Sequence, residues 1–393
     1  MKKFPMTYAL LFAAVFCVTL VFQSQTIQQH EALSLFLLTG DYLTQTFREA
    51  WPLSRIVASF ISGFFRFPVV GCLLTALLIT LVYLFANILF RFLGSLAKPS
   101  ASVLACVAWY MFVHAGCDPL PVVKILFRLC IPVLLVAMFL PKDFLLFRKE
   151  LSRGTLLLAF IAPVAVVSLA TALGRTPRMN EKWATIEQAA RRHDWDKILK
   201  TADVMSASKD REMIPFAMLA LNAQGRMAEN LNAYPVKGPE DLDMEGVRTR
   251  RGYYFSSILQ ECLGCNYEAL HLISQSGCTL PYGTSMMVLR QTLKYNIALG
   301  DQRMIRKYIE VLKKSPANRA MAKAAEKAYL KKTATGTAPA AVSDSLAFNG
   351  NATVPVVTNN PIYNLILLAS HGAESPMLVD RLNAYSAFGD TAN

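Results

Sequence analysis

Charge is what this sequence has least of. Only 17% of its 393 residues are charged, while 54% are hydrophobic, and soluble globular chains run nearer a quarter charged. The deficit is uneven. Residues 1–173 carry 13 Lys/Arg and 6 Asp/Glu, and residues 174–393 carry the other 27 and 21. The first part therefore has the composition of lipid-embedded protein and the second that of soluble protein, with the boundary at about Leu173–Arg175. Catalytic signatures are missing too. There is no phosphate-binding glycine loop and no G-x-S-x-G, and His193, His271 and His371 show no pattern tying them to a nucleophile. No disulfide framework is written either. Cys17, Cys72, Cys106, Cys117 and Cys130 lie in or beside apolar runs, where cysteine behaves as a small hydrophobe. That leaves the odd set Cys262, Cys265 and Cys278 in the soluble part. The net charge of +13 is split between the halves with acids interleaved. No nucleic-acid fold signature accompanies it, so no nucleic-acid partner is expected, and lipid headgroups and topology signals account for the excess.

Long apolar runs are what the sequence does have. A spanning helix takes roughly 20 apolar residues, with about 17 the practical minimum, and five stretches are candidates: about 6–22, 69–90, 101–116 (a short one), 122–140 and 154–173. The first follows Lys2 and Lys3 and reads as an uncleaved anchor rather than a signal peptide. The fifth holds Pro163 at its middle, where a kink is expected. Lys2 and Lys3, Arg91 and Lys98, and the cluster Lys142, Arg148, Lys149 and Arg153 all fall on one side of a five-span arrangement. By the positive-inside rule that side is cytoplasmic, which places residues 174–393 in the periplasm of a bacterial inner-membrane protein. Between the first two spans, residues 31–67 carry Leu33, Phe36, Leu37, Leu43, Phe47 and Trp51 at helical spacing, then the apolar stretch Arg55–Phe67. Both fit interfacial helices, forming either an anchor collar or the rim of a membrane-embedded site.

The soluble part reads as short helix pairs: Glu181–His193 (capped by Asn180) with Trp195–Met205, Asp210–Gln224 with Arg226–Ala233, Arg251–Leu263 with Tyr267–Ser274, and Thr284–Leu299 with Gln302–Lys314. Repetition of such pairs suggests an α-solenoid of degenerate tetratricopeptide type, with an irregular helical bundle as the alternative. The clearest unit is Ala298-Leu299-Gly300-Asp301, then Ile305, Tyr308, Leu312 and Ser315-Pro316. An Ala/Lys-rich helix follows over Pro316–Lys332 and closes a repeat domain at 174–332. Residues 333–360 read as a flexible linker, and residues 361–393 as two short helices. Leu365, Ile366 and Leu368, with Leu378, Leu382 and Tyr385, suit docking onto the array. The expected fold class is therefore all-α, a transmembrane bundle followed by helical repeats.

Three stretches carry a family resemblance: Leu35-Phe36-Leu37-Leu38-Thr39-Gly40-Asp41-Tyr42, Tyr234-Pro235-Val236-Lys237-Gly238-Pro239-Glu240, and Leu293–Leu312. The chain resembles a family of bacterial multipass membrane proteins defined as a domain of unknown function, with several spans followed by a helical-repeat region. This chain carries fewer spans. The resemblance implies architecture and no activity.

Candidate chemistry is sparse. Asp41, beyond the first span, stands where membrane glycosyltransferases that use lipid-linked donors place a carboxylate, as base or metal partner. Lys124 and Arg128, spaced i,i+4, could hold the lipid phosphate with Arg55, Arg66 and His30. Alternatively Asp41 only begins a helix and the two cations snorkel. Cys262, Cys265, His271 and Cys278 are residue types that bind zinc, but their spacing across a helix pair favours core packing, so no metal or other cofactor is expected. Arg248, Arg250 and Arg251 open a helix, as a solvated start or a headgroup or partner patch. The leading expectation is a non-enzymatic, membrane-anchored scaffold whose repeats bind a protein or peptide. The alternatives are a lipid-linked-donor transferase and a subunit of a transport or envelope-assembly complex, with Lys124 and Arg128 on a polar path.

Overall fold

A computed structural model describes residues 6–141, 152–244, 247–334, 361–370 and 375–389. Among them the regular structure is helical throughout, without a strand, as the sequence leads one to expect. The α-helices are α1 (Met6–Phe22), α2 (Ser24–Leu33), α3 (Gly40–Phe47), α4 (Pro52–Gly63), α5 (Pro68–Leu89), α6 (Ala97–His114), α7 (Leu120–Phe139), α8 (Arg153–Leu173), α9 (Arg175–Arg192) and α10 (Trp195–Thr201). They continue with α11 (Val204–Lys209), α12 (Met213–Ala223), α13 (Met227–Asn230), α14 (Arg250–Cys262), α15 (Asn266–Cys278), α16 (Met286–Leu299), α17 (Gln302–Lys313), α18 (Arg319–Ala334), α19 (Pro361–Ser370) and α20 (Pro376–Gly389). The linker expected at 333–360 lies, past its first two residues, outside the described residues. So do Lys2, Lys3, Lys142, Arg148 and Lys149.

The chain divides into two units, residues 1–184 and 185–393. In the first, α5 is the central element and packs against α1, α2, α6 and α7. Small side chains make this approach close: Gly71, Cys72, Ala76, Ala86, Ala101, Ala105 and Ala108 are all buried, as is usual where helices pack within lipid. Trp109, Tyr83, Phe112, Phe65 and Leu11 fill the spaces between. Two buried threonines return their hydroxyls to their own helices, Thr19 to the Val15 carbonyl (2.6 Å) and Thr75 to that of Gly71 (2.9 Å), which leaves neither an unmet donor.

The outward residues are as apolar as the core. Leu73, Leu77, Val107, Ile131, Leu134, Met138, Leu158 and Leu169 are all exposed, which in water would be an untenable patch. Three helices are long and apolar enough to cross a membrane: Pro68–His114, Leu120–Phe139 and Gly154–Leu173. The first has 47 residues and is broken at Gly94 (φ 58°, ψ −121°), so that α5 and α6 pack on one another. Helices α1 and α2 form a further apolar pair, bent by 78°.

Gly71 is where α2 and α5 touch. A Cβ there would lie 2.6 Å from Ile27 Cγ2 and 3.3 Å from the Phe65 backbone. Gly71→Leu should therefore force the two helices apart and lower stability by about 1–3 kcal/mol. Thermal unfolding in detergent would read this, and an unchanged midpoint would refute the contact.

Asn180 does not cap a helix: α9 runs unbroken from Arg175 to Arg192. Its Glu181 instead caps α2, where the carboxylate accepts Gln25 N (2.9 Å), Thr26 N (2.9 Å) and Thr26 Oγ1 (2.7 Å). A carboxylate at a helix N-terminus meets both the orphan amides and the dipole. The unit boundary consequently falls within α9, beyond the composition change at Leu173.

In the second unit each helix from α14 to α18 packs on its neighbour in sequence. Gly300 turns α16 into α17 in the left-handed region (φ 74°), and the Asp301 side chain then accepts Met304 N (3.0 Å), the turn chemistry written in the sequence. Helix α20 packs against α12 and α13. Its Asp380 caps α13 through Met227 N (3.0 Å) and Ala228 N (3.2 Å).

Candidate functional site

Two polar centres stand out, one in each unit. The first lies where α2, α4 and the α6–α7 turn meet. His30 on α2 places Nε2 3.2 Å from Ser62 Oγ on α4 and 3.8 Å from Asp118 Oδ1. The Ser62 hydroxyl also lies 2.9 Å from the Ala58 carbonyl one turn back, which ties this centre to the α4 backbone. Asp118 also accepts Leu120 N (2.9 Å), which fixes the carboxylate at the start of α7. The turn before it is tight, with Gly116 and Cys117 both in the left-handed region (φ 69° and 62°). Beside this centre, Arg55 pairs with Glu49 (2.8 Å).

The expected phosphate-holding residues are only partly gathered here. Arg128 lies over the Trp51 ring, 5.1 Å from its centroid, a cation–π contact rather than a free charge. Lys124 is half-buried on the same helix. Arg66 ends the turn after α4, where its carbonyl accepts Gln28 Nε2 (2.9 Å). Asp41 does not join them. It is exposed in the first turn of α3, behind the Thr39 cap, and makes no hydrogen bond or ion pair with any described residue. Its position is the one favoured for a negative charge at a helix N-terminus.

The second centre is built on Glu187 of α9. Arg250 grips its carboxylate with both terminal nitrogens (2.8 and 2.6 Å), Arg251 adds a contact at 3.3 Å, and Tyr254 donates to the Glu187 carbonyl (2.6 Å). Burial pushes the Glu187 carboxyl up, but the Arg250 charge and hydrogen bonds, with Arg251, outweigh it and hold the group below its usual range. Arg250 and Arg251 are thus not a solvated helix start. Arg248 alone of the three is exposed without a partner among the described residues. A similar group forms on Glu261, which meets His193 Nε2 (3.3 Å), Lys294 and Tyr295 Oη (3.0 Å). Burial again raises this carboxyl, and the His193 and Lys294 bonds bring it down. Arg381 of α20 is fully buried between the Leu242 carbonyl (2.8 Å) and Asp243 (3.0 Å).

The four candidate zinc ligands do not converge. Cys262 ends α14, Cys265 precedes α15, and Cys278 is exposed at the end of α15. Among the described residues no three His, Cys, Asp or Glu side chains could share a metal ion. Burial pushes the Cys262 thiol up to about 12 and that of Cys265 up to about 11, away from the thiolate a metal requires. An apolar groove of about 600 Å³ runs between α1 and α5, lined by Tyr8, Ala9, Phe12, Leu77, Thr80, Leu81 and Leu84.

Sequence reasoning passed over Ser62, Asp118, Glu181, Glu187 and Glu261 as sites. Each acts across a long separation, 63 residues for Glu187 and Arg250 and 155 for Glu181 and Thr26, and no local pattern announces such pairs. No curated protein and no solved structure matches the chain. A family model does match, over residues 2–140 and 117–343, and it is described as a family of unknown function, DUF6057. Those segments cover most of the sequence, and the chain belongs to that family.

Proposed function

We propose that this protein is a membrane-anchored scaffold whose C-terminal helical unit binds a protein or peptide partner. The observation that carries the reading is the packing order of α14 to α18, each on its sequence neighbour. That is the arrangement of helical-repeat arrays, which build extended binding surfaces from stacked pairs. The buried charges of the unit point the same way. Glu187 pairs with Arg250, Glu261 with Lys294 and Arg381 with Asp243 within the fold, so they fasten helices and leave the outer face to select a partner. The transferase alternative needs Asp41 as its acid, and that residue makes no hydrogen bond or ion pair with the polar centre of the first unit.

Counting the two arms of Pro68–His114 separately, with α1 as one span, gives five crossings. With the amino terminus cytoplasmic, the helical unit is then periplasmic and the membrane is the bacterial inner membrane. The test is photo-crosslinking of the full chain in cells from exposed positions of the unit, Met205 (68% exposed) and Tyr267 (45%). A discrete protein adduct from one position and none from the other supports the reading. Adducts to lipid alone, or none, would overturn it.

A further inference from the structure

The cationic charge of the second unit is concentrated on one helix pair. Residues 302–332, which form α17 and most of α18, hold ten Lys/Arg and two Glu. The rest of residues 174–393 holds 17 Lys/Arg and 19 Asp/Glu. The whole positive balance of the soluble part therefore sits here. Both glutamates are already engaged by a single lysine, Lys313, at 2.7 Å (Glu310) and 2.8 Å (Glu326). On α18 the remaining cations fall in register: Arg319, Lys323, Lys327 and Lys331 recur every fourth residue and all are exposed. At 1.5 Å rise per residue successive members are about 6 Å apart along the axis, and at 3.6 residues per turn each step drifts about 40° around it, so the four spread over one side of the helix. Arg303, Arg306, Lys307 and Lys314 of α17 are exposed as well.

We propose that this α17–α18 face binds an anionic phospholipid surface. Exposed, flexible cations spread along two neighbouring helices suit a flat, delocalised polyanion. Such a surface attracts each Lys or Arg within a Debye length. The chain carries its own spanning helices, so the bilayer is held at high effective concentration. Leu330, beside Lys331, is 57% exposed, the apolar residue among cations that suits the headgroup boundary. The proposal is independent of the partner reading, since it concerns another ligand class and one named face.

The experiment is lysine acetylation footprinting of the full-length protein in nanodiscs of phosphatidylcholine, alone or mixed with phosphatidylglycerol. Lys323, Lys327 and Lys331 should label several-fold more slowly in the anionic discs, with Lys197 and Lys200 of α10 unchanged, and molar salt should abolish the difference. In the variant Arg319→Glu/Lys327→Glu the protection of Lys323 and Lys331 should fall. Equal labelling in both lipids overturns the proposal, as does protection that survives salt or that appears only when a soluble acidic protein is added.

Discussion

Arg250→Met is expected to lower the stability of the C-terminal unit by about 3–5 kcal/mol, because it strands a buried carboxylate. The Glu187 side chain is only 2% exposed, and Arg250 supplies both of its short contacts. Arg251 approaches at 3.3 Å and also serves Glu212 (2.5 Å), so it cannot replace the bidentate pair. The carboxyl of Glu187 is raised by burial and lowered further by the arginines, which leaves its folded value below the unfolded one of about 4.3. Stability from such a group is fully present above the unfolded value and is lost as pH falls through the folded one. Wild-type protein should therefore weaken on acidification below about pH 4. Glu187→Gln, which does not titrate, should be less stable at neutral pH and should close the gap as pH falls. Chemical denaturation of the detergent-solubilised chain across that range measures it. A gap that stays constant with pH would remove Glu187 from the explanation.

Ending the chain after Ala334 should unfold or grossly loosen the second unit, although it leaves α9 to α18 intact in sequence. Helix α20 buries Leu378, Ala384, Tyr385 and Arg381, and α19 buries Leu365 and Leu368. At about 1.5–3 kcal/mol for each fully buried large apolar side chain, the loss is comparable with the whole stability of a domain, roughly 5–15 kcal/mol. The truncation also strips the α13 cap made by Asp380 and leaves Asn222, fully buried, without the Met377 carbonyl its amide reaches (2.8 Å). Limited proteolysis should cleave the truncated protein first around α12 and α13, and a peptide of residues 361–393 added in trans should restore protection. Unchanged proteolysis after truncation would contradict this account of α20.

Much of the architecture was legible because it is local. The spans follow from apolar runs, and α1 begins and ends where the sequence places it, at Met6 and Phe22. The Gly300-Asp301 turn and the docking role of Leu378 and Tyr385 were also readable, since turn chemistry and periodicity act over a few residues. Ile366, grouped with the docking residues, is instead 52% exposed, because a short helix buries one stripe only. The collar between α1 and α5 resolves into α2, α3 and α4 rather than two helices. The extra break falls between α2 and α3, where Ser34 (ψ 165°) and Thr39 (ψ 149°) are extended and the Thr39 hydroxyl then caps α3 by accepting Tyr42 N. The candidate site was the least legible part. Asp41 was singled out by position along the chain, whereas the polar centre uses His30, Ser62 and Asp118, brought together by the α2 bend and the Gly116-Cys117 turn. Arg250 and Arg251 looked solvated because Glu187 is remote in sequence.

The return of α20 to α12 and α13 has a consequence for how the chain is made. Contacts within α14 to α18 join neighbours and can form as each helix leaves the ribosome, the regime of fast, low-contact-order folding. The contact between Asn222 and Met377 spans 155 residues and closes a long loop, at an entropic cost that grows with the logarithm of its length. Helices α12 and α13 must therefore wait with an uncovered apolar face until α20 has been synthesised. The arrival of α20, rather than the growth of α14 to α18, is then the step that commits this part of the unit to its native state.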